Sequence, residues 1–385
     1  MLTLTPELLR KAWTRCLYPI QTDKVMLFGV RAATPVPGRE ATLQPTKINY
    51  GHMRCAIGIW APDGSIFCYP GSTVPHERYI TGKKKGNNQL LPGRHKSYTK
   101  GWHRAGKPGG HKALRQTRPA ISLRKGDDHD FDNDDELRIE LPYDNIHCAS
   151  NHNLKHRFYG SAGCQVIKGT VSGGLPKYGE WEDFYNKIYH GEGKDQNKFD
   201  YHLFEYRELL ALSEGKDSYN HLVGRYGGEG PLIGEIQQKL LDLDLYDGGI
   251  DAKFGPMMAR ALVEFQKQNF DSQQSYVDCS VGPWTAGKLG LSLPKLWDDG
   301  TGDNVAPPID SEPDPAFIVS WRNAPLSGKP LYCKVVAEPG AATETTENDR
   351  YVYVAHPTSY KEWLPGGGTR INKGLFQSVK RRGTL

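Results

Sequence analysis

Two glycine–proline corners, Phe254-Gly255-Pro256 and Val281-Gly282-Pro283, constrain this chain more tightly than any other feature. Proline fixes its own φ near the helical value and lacks the N–H that a first helical turn leaves unsatisfied, so each corner opens a helix. Ahead of them Ile233, Ile236, Leu240 and Leu241 recur at helical spacing, which predicts an amphipathic helix. That helix runs into the glycine turn Leu245-Tyr246-Asp247-Gly248-Gly249-Ile250-Asp251. The first corner then starts a helix carrying Ala261-Leu262-Val263-Glu264-Phe265-Gln266, and the second starts one that runs through Leu289. The pattern predicts a compact three-helix module over residues 228–292.

A chain of 385 residues has room for two or three cores. Residues 1–25 read as a helical leader: Thr5 caps, Pro6 takes the first helical position, and Leu8, Leu9, Trp13 and Leu17 form an apolar stripe. From Lys24 the pattern turns to strands, with a hairpin where Met53 to Trp60 and Ser65 to Tyr69 flank Pro62-Asp63-Gly64. Leu137 to Leu141 alternates as a strand, and Trp181 to Tyr189 carries aromatics at helical spacing. Residues 191–198 are polar and breaker-rich, and a helix is expected from about Tyr201 to Leu212. The expected architecture is multidomain α+β: the leader 1–25, a mainly-β domain 26–195, a helical linker 196–227, the helical module 228–292 and a C-terminal β-rich region 293–385. In the last, Phe317 to Trp321, Leu331 to Val336 and Arg350 to Ala355 read as strands beyond a proline-rich linker at 306–315.

The formal net charge of +5 favours an anionic surface such as a cell wall. No Lys/Arg run is interleaved with aromatics in the way nucleic-acid binding requires. Seven scattered cysteines, odd in number, form no disulfide framework and suit folding in a reducing cytosol. No stretch approaches the ~18 apolar residues of a membrane span. The N-terminus lacks a basic segment followed by an apolar run, so no secretory signal is read. An enzyme acting outside the membrane would then need phage-type release or a contractile injection machine.

Asn145 to Lys168 carries the chemistry. His147 sits behind Ile146, and Cys164 closes Ser161-Ala162-Gly163-Cys164, with sixteen residues between the two. A thiol becomes a nucleophile when a neighbouring base draws its proton. Glycine before it lets backbone approach a carbonyl, so nearby amides can hold an oxyanion. One strand ending in the histidine and one starting at the cysteine would bring the pair together. The plain alternative is a small buried cysteine and an unrelated histidine. His129, His152 and His156 raise a zinc reading, but neither C-x-x-C nor H-E-x-x-H occurs, and no metal or cofactor is assigned. Alternating carboxylates over Asp127 to Glu136 could ligate calcium; without a glycine at the sixth place they read as an acidic surface turn. The basic residues 94–118 read either as a flap contacting anionic substrate or as a solvated loop.

The His147–Cys164 stretch resembles the signature of the L,D-transpeptidase (YkuD-like) cysteine enzymes, in a form similar to a phage-associated branch. The resemblance implies Cys164 as acyl-accepting nucleophile, His147 as its base, the Cys148 carbonyl as orienter of the imidazole, and amides around Gly163 and Cys164 as the oxyanion hole. Ser161 and Gln165 would face substrate. Ala162 stands where that family has its usual second histidine. The helical module resembles the peptidoglycan-binding type 1 domain, matching I-Q-Q-K-L, D-L-Y-D-G-G-I-D, F-G-P, A-L-V-E-F-Q and V-G-P-W-T in order. Ala252 and Cys279 depart from its glycines. That resemblance implies a ligand groove around Tyr246, Asp251, Phe254, Gly255 and Trp284. Together they imply an enzyme cleaving or exchanging stem peptides of peptidoglycan. It would be a delivered phage lysis protein or interbacterial effector, acting in the periplasm or wall, with a secretion or phage delivery machine and an immunity protein as further partners. The alternative is a non-catalytic wall-binding structural protein such as a phage tail component.

Overall fold

The computed structural model describes residues 1–297 apart from 81–86, 125–130, 132–134, 151–157 and 271–276. Beyond 297 it describes the backbone of three short strands, Val335–Val336, Tyr351–Ala355 and Gly368–Asn372, paired in one antiparallel sheet. The candidate ligands His129, His152 and His156, most of the acidic run 127–136, the 306–315 linker and the strand expected at Phe317 to Trp321 lie outside the described residues.

The centre of the molecule is a closed eight-stranded mixed barrel. Its strands, in chain order, are β1 (Met26–Arg31), β2 (Cys55–Trp60), β3 (Ile66–Ser72), β4 (Gly93–His103), β5 (His111–Gln116), β6 (Ile146–Cys148), β7 (Gln165–Ile167) and β8 (Lys198–Glu205). Around the barrel they run β6-β7-β3-β2-β1-β8-β4-β5. The β2–β3 hairpin turns as expected, with the Asp63 carboxylate accepting from the Ser65 N–H at 2.9 Å. β8 falls in the stretch expected to be a helical linker. Phe199, Tyr201 and Leu203 alternate and are all buried, the period-two signature of a strand, and the helix Tyr206–Ser213 begins only after it. β8 pairs in parallel with β1 and antiparallel with β4, so residues 198–205 complete the barrel rather than leave it.

The leader helix α1 (Pro6–Arg15) forms as predicted, with Thr5 Oγ1 accepting from the Leu8 N–H at 3.1 Å. It ends short of Leu17, whose φ of 58° is left-handed. Its Leu8, Leu9, Ala12 and Trp13 are buried in one cluster with Phe28, Trp60 and Phe204 of the barrel wall. Helix α2 (Glu180–Tyr189) buries Trp181, Phe184 and Ile188 in a second cluster with Tyr69, Tyr98 and Tyr201. Residues 94–118 are mostly two barrel strands, β4 and β5, rather than a flap; a basic loop at 104–110 joins them.

The helical module comprises α3 (Pro231–Asp242), α4 (Pro256–Asn269) and α5 (Pro283–Lys288), each with proline in its first turn. Its core includes Ile233, Ile236, Leu240, Phe254, Leu262 and Phe265. The same cluster contains Ile121 from a three-stranded sheet, Asn88–Leu90, Ala120–Arg124 and Glu136–Glu140, that flanks the barrel. The module is thus docked, not tethered. Among the described residues no helix is long and apolar enough to cross a membrane.

Candidate functional site

β6 and β7 pair in parallel, with His147 opposite Val166, so the histidine and the residue just before β7, Cys164, meet at one end of the pair. Gly163 enters that corner with φ of 152°; a Cβ there would strike the Asp144 carboxylate and come within 2.9 Å of Asn88 O. His147 is buried, and its Nδ1 donates to Cys148 O at 2.7 Å. Its Nε2 has no partner among the described residues and keeps a free lone pair. The Cys148 carbonyl therefore holds the ring as expected.

Two further histidines complete the cluster. The His103 ring, at the end of β4, stacks on His147 with centroids 4.0 Å apart. His111, at the start of β5, places Nε2 3.2 Å from His147 Nδ1 and Nδ1 2.9 Å from Gly109 O. One nitrogen each of His103 and His147 and the Cys164 sulfur lie within 4.8 Å of one another. The sequence reading missed both histidines because they were absorbed into a basic stretch. Their signal was positional: they bracket a glycine-rich turn, and an antiparallel hairpin brings such ends together.

The site rests in a neutral state. Burial, and then the neighbouring Asp144, push the Cys164 thiol well above its ordinary value; the residue is 9% exposed. Burial first, and then His103 and His111, hold His147 well below the ordinary imidazole value. Burial lowers His103 to about 4 and raises Asp144 to about 8.

The other expected site residues divide. Ser161 Oγ donates to Cys164 O at 2.7 Å and accepts the Gly163 N–H at 3.1 Å. The Gly163 amide is thus engaged inside the turn and does not point at an oxyanion. Gln165 is fully buried, donating to Gly163 O at 2.9 Å and accepting from the Tyr201 hydroxyl at 3.0 Å. Ser161 and Gln165 brace the Cys164 corner from within and are not open to a ligand.

In the helical module, Phe254 is core and Gly255 caps α4. Tyr246 is buried, its hydroxyl donating to Gly249 O at 2.8 Å. Asp251 accepts from Gln237 Nε2 at 2.8 Å and from the Lys253 N–H at 2.9 Å. Gln237 Oε1 accepts the Ala252 N–H at 2.9 Å. The arrangement recurs: Gln266 Nε2 donates to Asp278 at 2.9 Å, and its Oε1 accepts the Cys279 N–H at 3.0 Å. The duplicated corners are two copies of one glutamine-tied turn. Of the five expected groove residues, Asp251 and Trp284 are exposed, Trp284 by 73%.

Residues 229–270 match a family model described as "Putative peptidoglycan binding domain". The match spans α3, the first glutamine-tied turn and α4, and it supports peptidoglycan as the partner of this module. No curated protein and no solved structure matches the chain.

Proposed function

We propose that the chain is a wall-targeted cysteine acyl-transfer enzyme, L,D-transpeptidase-like in its chemistry, in which the helical module holds peptidoglycan and Cys164 attacks a stem-peptide carbonyl. The observation that carries this reading is the corner where β6 and β7 begin and end: a buried imidazole oriented by a backbone carbonyl, with an unpartnered lone pair beside a thiol. His147 Nε2 takes the thiol proton, and the sulfur then bonds to the carbonyl carbon. The resulting acyl-enzyme is resolved by an amine in exchange or by water in cleavage. Such a protein would act in the periplasm or wall after delivery by a phage or an injection machine, and an effector of this kind would have a cognate immunity protein.

The second reading is a wall-binding structural protein. It is favoured by the largely buried thiol held above its ordinary value and by the engaged Gly163 amide. Incubation with purified sacculi followed by mass spectrometry of the muropeptides separates the two. The enzyme reading expects new or shortened stem peptides from wild type and none from Cys164→Ala. Identical products from both proteins would leave the structural reading.

A further inference from the structure

His103, His147 and Cys164 are residue types that hold zinc, yet the hydrogen bonds behind the rings decide what each nitrogen can do. The Gln116 N–H donates to Asn145 Oδ1 at 3.0 Å, which fixes the orientation of that amide. Its Nδ2 then points to His103 Nδ1 at 3.1 Å, so this nitrogen is the acceptor and the neutral ring carries its proton on Nε2. His147 is the opposite tautomer, with Nδ1–H on Cys148 O and a lone pair on Nε2. His111 reinforces it: Nδ1–H goes to Gly109 O, leaving Nε2 to share the His147 proton. A metal needs a lone pair from every imidazole ligand. Here one ring offers a lone pair and the ring stacked on it offers an N–H.

We infer that Asn145 sets this cluster for proton transfer instead of metal binding, with His103 as the N–H donor that hydrogen-bonds the sulfur anion while His147 removes its proton. The inference rests on the acyl-transfer reading for its purpose but not for its test. In the step it serves, the proton passes from Sγ to His147 Nε2. The sulfur–carbon bond then forms and the carbonyl oxygen takes the π electrons. When that oxyanion collapses, the carbon–nitrogen bond breaks and the amine leaves with the proton from His147. His103 keeps its proton throughout and acts as a fixed dipole. Asn145 is a positioning residue, because it acts through His103.

The test is Asn145→Asp in the full chain. A carboxylate still accepts the Gln116 N–H, but its second oxygen accepts a proton from His103 Nδ1, which moves the ring's lone pair to Nε2. The variant then has two imidazole lone pairs and a thiol together, a metal site. With one equivalent of Co(II), the wild type should give no sulfur-to-cobalt charge-transfer absorption. Asn145→Asp should give it, and Asn145→Asp with Cys164→Ser should not. A band in the wild type, or none in the variant, overturns the tautomer assignment. The donor role is read from the pH midpoint of Cys164 alkylation by iodoacetamide. His103→Ala should raise the midpoint by about one pH unit, and His103→Gln, which retains an N–H, should restore it. An unchanged midpoint in His103→Ala, or equal shifts in both variants, overturns that role. Neither readout uses peptidoglycan, so a silent sacculus digest beside these results would refute the acyl-transfer reading alone.

Discussion

The paired turns of the helical module hold two non-glycine residues in the left-handed region, Ala252 at φ of 51° and Cys279 at φ of 55°. Both amides are tied to a glutamine, Gln237 and Gln266, so the backbone is held there regardless of the side chain. A left-handed L-residue costs roughly 1–2 kcal/mol, and glycine's greater freedom in the unfolded chain returns about 0.4–1 kcal/mol of that. Ala252 is half-buried and its single methyl contributes little, so Ala252→Gly should stabilise the protein by about 0.5–1 kcal/mol. Cys279 is fully buried, and its CH₂–SH fills core space that glycine would empty. That loss is about 2 kcal/mol once the cavity is included, so Cys279→Gly should be net destabilising by about 1 kcal/mol. The assay is hydrogen exchange of α3 and α4 amides together with the urea midpoint of the full chain. The same backbone geometry should yield opposite signs. A lowered midpoint for Ala252→Gly, or a raised one for Cys279→Gly, would refute the reasoning.

Glu208 accepts from Arg15 at 2.5 Å and from Arg225 at 2.9 Å, all three side chains being largely buried. Glu208→Gln should cost roughly 3–5 kcal/mol, seen as a lower urea midpoint, because two guanidinium groups lose their counter-charge. Asp144 is the second cause holding the Cys164 thiol up, after burial. Asp144→Asn should therefore speed iodoacetamide labelling of Cys164 at pH 9, where the wild-type carboxyl, at about 8, is ionised. His95 and His202 are buried and held down, to about 4 and about 3. A depressed folded value makes their stabilisation complete above pH ~6.5 and withdraws it as pH falls towards 4, by about 3 kcal/mol per ring. The urea midpoint should fall steeply over that window, and His202→Phe should flatten the fall.

How much of this could be read in the sequence depended on how locally each feature is determined. The glycine–proline corners, the Thr5 cap and the Asp63 turn are set by a few adjacent residues, and all form as their local chemistry dictates. That a strand carrying His147 and one starting beside Cys164 bring the two together was also expected; that they pair in parallel was not. Nor was β8, because its apolar residues suit either period and only pairing with β1 and β4 makes it a strand. The partners of the site were hidden for the same reason. His103, His111 and Gln116 reach His147 and Asn145 only once β4 and β5 close the barrel, and no local pattern encodes that closure. Ser161, Gln165 and Tyr246 were expected as ligand contacts from family resemblance alone, whereas here they satisfy buried backbone.

Arg94 on β4 couples the barrel to the helical module. It donates to Asp200 of β8 at 2.8 Å, to Gly227 O at 3.2 Å and to Glu229, just ahead of α3, at 2.9 Å. The guanidinium thus neutralises one carboxylate in the barrel wall and one at the entrance to the helical module. A tethered binding module would be indifferent to this contact. A docked one should lose about 3 kcal/mol in Arg94→Ala, since Asp200 loses the buried guanidinium that holds it below its ordinary value, while Glu229 keeps Lys96. Exchange of the α3 and α4 amides should then accelerate together with that of β4 and β8. Acceleration confined to the barrel would mean that the module folds by itself and that its seat against the rest of the molecule is not enforced.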